Sequence, residues 1–342
     1  MKRRLDELAN ITMGQSPSSE FYNANRVGMP FLQGCTTFGR IYPKYDTWTT
    51  SFNKEANPGD VLFTVRAPVG DVNICKIHTA IGRGLAAISA KTVLSKYLFY
   101  LLQANKSLFM SSSSGTIYQS INKDKLGLVE LAVHSDEEQR HIVGTIGSVD
   151  DLIEKNEEII KRIIAFSKMK FDSIYESSNA ERLGNSIKFV KGKQPSISKG
   201  GTSKVYLTIE ALTSGDSGVV SSEGVLCKEN DVLMVMDGAS SGRCFIGNDG
   251  YVGSTLARID TNGINHTILF FALKKHEKEI AEHTTGSAIP HADKSFVSEL
   301  FYPIVDTETA SSFERLISLV VSKRKENLRL KALKTAFLAK FF

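Results

Sequence analysis

The feature that most constrains this 342-residue chain is a phrase that it contains twice. Residues 57–70 read NPGDVLFTVRAPVG, and residues 230–242 read NDVLMVMDGASSG. Each copy has Asp-Val-Leu, an apolar run and a turn ending in Gly, and Asp60 and Asp231 lie 171 positions apart. A repeat with a period of about half the chain indicates a tandem duplication of one structural unit.

Four further pairs of segments recur in the same order. They are RLDELANITMGQSPSS from Arg4 with RLGNSIKFVKGKQPSIS from Arg182, AIGRGLAAISA (80–90) with YVGSTLARID (251–260), KYLFYLLQANKSLFMSSSSGTI from Lys96 with TILFFALKKHEKEIAEHTTGSAI from Thr267, and LIEKNEEIIKRIIAFSKMKF (152–171) with VSKRKENLRLKALKTAFLAKFF (321–342). Segments 15–58 and 193–229 differ in length and content. A common frame with divergent loops favours two binding modules with different targets, although ordinary loop drift after duplication would look similar.

Composition places the chain among soluble globular proteins of two domains, with 42% apolar and 23% charged residues. No apolar run approaches the length of a membrane span, and MKRRLDEL at the N-terminus lacks the apolar stretch of a secretory signal. Cysteines are scattered without a CxxC motif, at Cys35, Cys75, Cys227 and Cys244. We therefore expect reduced thiols, a cytoplasmic location, and neither disulfides nor a metal site.

Short apolar runs bounded by Gly, Pro, Asn or Asp predict strands, at Val61–Val65, Val72–Ile77, Leu85–Ser89, Val205–Ile209, Leu233–Met236 and Leu256–Ile259. Apolar residues at helical spacing predict helices over Ser95–Met110 and Asn265–His283. The fold class is therefore α+β. We assign a first head to residues 1–135 and a second head to residues 179–306, each followed by a long helix, at 136–178 and 307–342.

Both long helices carry a heptad seam. In the first helix it comprises Ile142, Ile146, Val149, Ile153, Asn156, Ile160, Ile163 and Ser167. In the second it comprises Phe313, Leu316, Val320, Lys323, Asn327, Leu330, Lys334 and Phe337. Polar residues within such a seam specify register and partner at a cost in stability.

Charge favours pairing of the two helices with each other. Residues 136–178 carry 6 Lys/Arg against 10 Asp/Glu, and residues 307–342 carry 8 against 3. Opposite net charges favour this pairing over self-pairing, although each helix could instead pack only on its own head. Antiparallel pairing would relate the heads by a pseudo-two-fold axis and give a coiled coil of roughly 55 Å at 1.5 Å per residue.

Loop chemistry and charge favour a polyanion such as DNA as the ligand of the heads. Residues 1–135 carry 15 Lys/Arg against 9 Asp/Glu, whereas residues 179–306 carry 13 against 15. Gln and Arg read base edges, and Ser, Lys and Arg bind phosphates. Any one of these residues could equally lie in an ordinary polar turn. The candidate DNA-binding residues are Gln15, Ser16, Ser18, Arg40, Lys44, Arg66, Thr116, Tyr118, Lys193, Gln194, Ser196, Arg243, Ser287 and His291.

Motifs of catalysis are missing from the sequence. The chain has neither a phosphate-binding loop ending in Lys-Ser/Thr nor an HExxH motif, and it lacks the Asn/Asp-Pro-Pro-aromatic motif of an amino-methyltransferase. Ser167–Lys170 matches SxxK but lies on a heptad helix, and Gly82-x-Gly84 is a weak glycine pattern. We expect a protein that performs no covalent chemistry.

The order of head, helix, head and helix resembles the DNA-specificity (S) subunit of type I restriction–modification enzymes along the whole chain. The segment LAVHSDEEQRHIVGTI looks like the family's Pro-Pro-Leu-x-Glu-Gln motif. Glu138 and Gln139 match the motif, but its prolines are absent, and Ala132 and Val133 lie in that area. The second copy keeps Pro303 but lacks Glu-Gln. The segments GDVLFTVRAPVG and SSGTIYQSINKDKL also resemble sequence segments of that family.

This resemblance implies two target-recognition domains that each read one half of a split double-stranded DNA sequence. It implies that the helices set the spacing and dock two methyltransferase subunits. S-adenosylmethionine, ATP and magnesium are then expected only on partner subunits, among them a translocase–nuclease subunit in systems that also cleave. The chain itself would hold no cofactor. The helix length of roughly 55 Å limits the separation of the half-sites to roughly 16 base pairs at most. Because the heads should lean inward, we expect half-sites centred about one helical turn apart.

Two other functions remain open on sequence grounds. A non-enzymatic two-headed scaffold that binds protein or carbohydrate would bind independently of salt and leave no footprint on DNA. An enzyme with an unrecognised site would turn over substrate as the purified chain alone.

Overall fold

The computed structural model describes residues 1–111, 120–197, 202–214, 219–286 and 289–342. It divides into two compact units. The first unit comprises Met1–Asp151 with Ala332–Phe342, and the second comprises Leu152–Lys331. Each unit therefore contains one head and a part of both long helices. The mixed helix and sheet composition and the two-domain organisation confirm the predicted α+β class.

The first unit is built on a four-stranded antiparallel sheet and a five-stranded mixed sheet. In spatial order the four strands are Ala9–Met13, Leu85–Ala90, Val61–Thr64 and Val72–Ile74. The five strands are Tyr22–Asn23, Trp48–Thr49, Met29–Leu32, Thr79–Ile81 and Glu55–Ala56. Strands Lys2–Arg4 and Glu130–Ala132 pair separately. The short helices are Leu5–Leu8, Ser95–Ala104, Lys106–Ser111 and Lys123–Gly127, with 3-10 turns at Ser19–Phe21 and Cys35–Thr37.

The second unit repeats this plan. Its antiparallel sheet orders Ile187–Lys191, Leu256–Thr261, Val232–Val235 and Cys244–Phe245, and its mixed sheet orders Val220–Ser221, Lys204–Leu207, Gly250–Val252 and Leu226–Cys227. Two-stranded pairs join Ala180–Arg182 with Phe301–Pro303 and Thr284–Thr285 with His291–Ala292. The short helices are Ile209–Ser214, His266–Lys275, Glu277–Glu282 and Lys294–Glu299, with a 3-10 turn at Gly184–Ser186.

The repeated phrase forms the central strand of each antiparallel sheet. All four residues of Val61–Thr64 are buried, as are all four of Val232–Val235. Alternate side chains belong to different cores: Val61 packs with the core against the helix Ser95–Ala104, whereas Leu62 packs with the core toward the mixed sheet. A strand with a core on each face must be apolar throughout, which explains the continuous apolar run.

The long helices extend over Asp136–Ser177 and Thr307–Phe341. The first begins with a reciprocal capping box, in which the Ser135 N–H donates to Glu138 Oε2 at 2.8 Å and the Glu138 N–H donates to Ser135 Oγ at 3.4 Å. Gln139 anchors the same turn, because its Oε1 accepts from the Leu94 N–H at 3.1 Å. Glu138 and Gln139 therefore stabilise the first turn of this helix.

Within each unit the segments of the two helices are antiparallel. In the second unit, the Phe171 ring lies 6.2 Å from the Phe313 ring, and Asn156 Nδ2 donates to Asn327 Oδ1 at 2.9 Å. In the first unit, Asp150 pairs with Lys334, and the His141 ring lies 5.9 Å from the Phe341 ring. Every residue of both predicted seams is buried or half-buried. No helix in the described part of the chain is long and apolar enough to span a membrane.

Candidate nucleic-acid interface

The acidic turn before the repeated strand has the same geometry in both heads. Asp60 Oδ2 accepts from the Asn57 N–H at 2.8 Å, and Asp231 Oδ2 accepts from the Lys228 N–H at 2.8 Å. Both carboxylates are occupied within their own turns, as is usual for Asp at this position. The Asp that both copies of the repeated segment share therefore maintains the local fold.

In the first head, the loop after strand Ala9–Met13 lies beside the turn at 81–84. The Gln15 N–H donates to Ile81 O at 3.0 Å, and Ser16 Oγ accepts from the Arg83 N–H at 3.1 Å. A Cβ on Gly14 would lie 2.1 Å from Gly82 O, so glycine is required for this close approach. The exposed side chains of Gln15 and Arg83 are thereby held on neighbouring loops.

The segment after the repeated strand extends the same surface. The Val65 N–H donates to Gly84 O at 2.9 Å, and Arg66 forms a β-bridge with Ser120. The Arg66 side chain is exposed. We call these neighbouring residues the first-head loop surface: Gln15, Ser16, Arg66, Arg83 and Ser120.

The second head builds the same surface from different side chains. The Gly192 N–H donates to Leu256 O as the Gly14 N–H does to Leu85 O, so Lys193 stands at the position of Gln15. Asp237 forms a bridge with His291 where Arg66 does so with Ser120. The Gly253 N–H donates to Leu207 O at 3.0 Å and the Gly82 N–H to Leu32 O at 2.8 Å, which places Ser254 at the position of Arg83.

The second-head loop surface, defined by Lys191, Lys193, Asp237, Ser254 and His291, is internally neutralised. Asp237 Oδ2 lies 2.9 Å from Lys191 Nζ, and Asp237 Oδ1 lies 2.8 Å from His291 Nδ1. Partial burial alone would raise the pKa of Asp237, but the hydrogen bonds from Lys191 and His291 outweigh it and the pKa is lowered. Asp237 therefore stays ionised and holds the Lys191 ammonium and the His291 ring at the surface.

The other predicted residues differ in how far they are exposed. Ser18, Lys44, Lys193, Gln194 and Ser196 are exposed. The Ser196 main chain is fixed by strand Val220–Ser221, because its N–H donates to Ser221 Oγ at 3.0 Å. The Arg243 guanidinium stacks 5.0 Å from the Phe245 ring. Thr116, Tyr118 and Ser287 lie outside the described residues.

Arg40 occupies a different environment from the other candidates. Its guanidinium forms an ion pair with the fully buried carboxylate of Asp150, and Nη2 also donates to the Asp150 main-chain oxygen at 3.0 Å. Lys334 Nζ lies 2.9 Å from Asp150 Oδ2, and the Tyr100 hydroxyl donates to that oxygen at 2.8 Å. We call Arg40, Tyr100, Asp150 and Lys334 the buried charge cluster. Arg40 connects its loop to the long helices.

Arg83 is a surface residue that the sequence reasoning missed. Its signal in the sequence is the Gly82-x-Gly84 pattern, which by itself is weak. A Cβ on Gly84 would lie 2.4 Å from Gln33 O. The two glycines thus bring a tight turn against the mixed sheet and present the arginine between them. Among the described residues, no group of His, Cys, Asp and Glu is arranged to hold a metal ion.

Comparisons with known proteins show which proteins the first half of the chain resembles. Residues 1–165 match the family model of the type I restriction modification DNA specificity domain. Over 146 residues the chain is 40% identical to a Methanocaldococcus jannaschii protein named as the specificity subunit of type I restriction enzyme MjaX, covering 42% of this chain and 34% of that protein. The chain thus spans about a third of the length of that relative.

Two further comparisons extend over the second half. The specificity subunit of the type I restriction enzyme MjaIX, from the same organism, is 24% identical over 330 residues, covering 82% of this chain and 76% of that protein. The crystal structure of a type I restriction–modification S subunit from M. genitalium has a TM-score of 0.64 at 17% identity, covering 100% of this chain and 96% of that one. This last similarity shows the fold.

Two similar α+β heads, each followed by a long helix, define a two-headed recognition protein. The family match over residues 1–165 and the named relatives confirm the resemblance inferred from the sequence: the chain is similar to type I restriction–modification specificity subunits, and its residues 1–165 match their DNA specificity domain.

Proposed function

We propose that this chain reads a split double-stranded DNA target, with one head on each half-site, as the specificity subunit of a type I restriction–modification complex. The observation that carries the proposal is the duplicated loop surface at the same strand ends of both heads. Arg66 and Arg83 supply positive charge and guanine-reading geometry in the first head, and Lys193 and Gln194 supply phosphate and adenine chemistry in the second.

Two heads on one chain gain specificity by effective concentration. Binding of one head raises the local concentration of the other at its half-site only when the spacing is correct. We propose half-sites centred about one helical turn (~10 base pairs) apart, within the limit of roughly 16 base pairs that the helix length allows. Phosphate contacts should make the affinity strongly dependent on salt.

We further propose that the long helices dock two methyltransferase subunits. In this proposal S-adenosylmethionine, ATP and Mg²⁺ are bound by partner subunits, and the methyltransferase flips the target adenine out of the duplex. A translocase–nuclease subunit joins the complex in systems that cleave. This chain contributes sequence reading and performs no covalent step.

A map of N6-methyladenine in the source cell, with and without this gene, tests the proposal. We expect one split motif to lose methylation when the gene is deleted and to regain it on complementation. Complementation with Arg66→Ala should lower methylation of that motif. The exposed Lys91, beyond the end of strand Leu85–Ala90 that is opposite to the loop surface, gives the control Lys91→Ala, which should leave methylation unchanged.

Identical methylation maps with and without the gene, together with salt-independent DNA binding by the purified chain, would refute the proposal. A footprint confined to one contiguous block of base pairs would refute the two-half-site reading while leaving DNA binding intact.

A further inference from the structure

A pocket of about 200 Å³ opens at the second-head loop surface, beside the ends of neighbouring strands of the antiparallel sheet. Buried apolar side chains form its floor, namely Met236, Ala257 and Ala292. Polar side chains that are exposed or half-buried form its rim, namely Lys191, Asp237, His291 and Lys294. The pocket therefore combines a small apolar floor with a charged rim.

The first head fills the corresponding place with a larger side chain. In the second head the Ala292 N–H donates to Met236 O at 2.9 Å. In the first head the Ile121 N–H donates in the same way to Val65 O at 3.0 Å. Ile121 therefore stands at the position of Ala292, and it is only 2% exposed in the core of the first unit. Because alanine lacks the branched side chain of isoleucine, space stays open at this position of the second head.

One side of the pocket also differs between the heads. Lys191 pairs with Ala257 in the strand register. Met13 pairs in the same way with Ala86 in the first head, and its side chain packs against the core. The Lys191 side chain instead reaches Asp237, whose Oδ2 lies 2.9 Å from Lys191 Nζ. The second head thus has a charged group where the first head has an apolar one.

The floor of the pocket can adjust to a small apolar group. Met236 stands at the position of Val65, and its side chain is longer. An unbranched thioether side chain adapts its shape more readily than a branched one. Met236 can therefore close around a group of the size of a methyl.

The rim favours DNA as the source of that group. Among the residues that line the pocket, Asp237 is the one acid, and it is paired with Lys191. Lys294 adds a second ammonium group, whose Nζ lies 5.8 Å from the centroid of the Phe189 ring. A rim in which positive charge exceeds negative charge attracts a polyanion.

Thymine is the base whose groove edge matches this pocket. In the major groove thymine presents its C5-methyl group beside the O4 acceptor, whereas cytosine presents an amino donor and lacks the methyl group. The apolar floor fits the methyl group, and the Lys294 ammonium on the rim fits the O4 acceptor. Adenine and guanine present polar atoms at this edge.

We propose that this pocket receives the C5-methyl group of one thymine in the half-site that the second head reads. Met236 and Ala292 pack on the methyl group, and Lys294 donates to O4. This inference rests on the proposed function and adds the base that the pocket selects. The first head cannot accept a methyl group at the same place, because Ile121 fills it.

Deoxyuridine substitution tests the pocket, because 2′-deoxyuridine differs from thymidine only in lacking the C5-methyl group. Duplexes with the split motif carry one such substitution at a time, and fluorescence anisotropy measures their binding to the full chain. We expect one position to weaken binding about fourfold, the contribution of one buried methyl group. Ala292→Ile, which fills the pocket, should abolish this difference. Ala281→Ile makes the same change at an exposed position outside the pocket and should preserve it.

A double variant covers the case in which isoleucine overpacks the pocket. Met236→Val with Ala292→Ile reproduces the two side chains that the first head carries, and it should also abolish the difference. Thermal unfolding shows that the variants are folded. The proposal is overturned if every deoxyuridine duplex binds like the parent duplex, or if a folded pocket-filled chain still distinguishes the same thymine.

A photochemical probe tests the contact in the wild-type chain. 5-Iodo-2′-deoxyuridine carries iodine in place of the methyl group and forms a crosslink on irradiation with residues that it contacts. At the position that weakens binding, we expect the crosslink in residues 236–237 or 291–294. A crosslink in the first head would overturn the proposal.

The two proposals can fail separately. If the chain binds the split motif no better than unrelated duplexes, the proposed function is refuted and the thymine inference falls with it. If binding is specific for the motif but insensitive to the methyl group of every thymine, the pocket inference alone is refuted.

Discussion

The two units share one backbone plan but place charge differently on it. At the equivalent β-bridge the first head carries Arg66 and the second carries Asp237. In the helix region the first unit buries a charge cluster around Asp150, whereas the second unit buries the neutral amide pair Asn156–Asn327. Duplication has therefore preserved the positions that form hydrogen bonds between main chains, while the charges of the side chains at the loop surfaces and between the long helices have diverged.

Loss of the Asp150 carboxylate should have the largest effect. Asp150→Ala leaves Lys334 and Arg40 buried without a counter-ion, and we expect a loss of about 3–5 kcal/mol in the free energy of unfolding. The chain has a single tryptophan, Trp48, in the first unit, so fluorescence during urea unfolding reports that unit. Asp151→Ala, at a side chain 62% exposed, should change the value by less than about 0.5 kcal/mol. Equal effects of the two substitutions would show that the cluster does not stabilise the unit.

Reversing the charge of Arg66 should have the next largest effect. Arg66→Asp places in the first head the residue type that the second head carries, and we expect DNA binding to weaken by about 1–3 kcal/mol, roughly 5- to 150-fold. Fluorescence anisotropy with a duplex containing the methylated motif measures the change. Arg140→Asp makes the same charge change on the long helix and should have little effect. If the Arg66→Asp chain binds DNA with unaltered affinity, Arg66 does not lie in the DNA interface.

A substitution of Lys193 tests whether this residue of the second head contacts a phosphate or a base. Lys193→Ala should weaken binding to all duplexes alike and reduce the slope of log affinity against log salt by about one. Assembly with the methyltransferase subunit should stay intact. A loss restricted to one base sequence would instead assign Lys193 to base reading, and lost assembly would place it outside the DNA surface.

Substitution of Asp237 should change DNA affinity the least, and it should raise the affinity instead of lowering it. Asp237→Asn removes a negative charge beside His291 and ends the ion pair with Lys191, so we expect DNA affinity to rise several-fold at low salt. The gain should disappear at high salt because it is electrostatic. A loss of affinity would indicate that Asp237 itself contacts a base, as a carboxylate accepting from cytosine does.

Periodicity in the sequence was enough to predict the duplicated architecture. The repeated phrase marked the central strand of each sheet, because a strand covered on both faces needs an apolar side chain at every position. The heptad seams marked the buried faces of both helices, including the polar positions Asn156 and Asn327, which bond to each other. These features depend on local spacing, which the order of residues determines directly.

Only the tertiary structure decided which charged residues are exposed at the loop surfaces and which are paired with buried carboxylates. Arg40 and Arg66 looked alike in sequence, yet one is bound to a buried carboxylate on the long helix and the other is exposed beside the Ser16 loop. Arg83 became a candidate only when Gly82 and Gly84 proved to hold its turn against the mixed sheet. The sequence determined the repeated frame, whereas partners distant in the chain, brought together by folding, determined which charges are neutralised and which are presented.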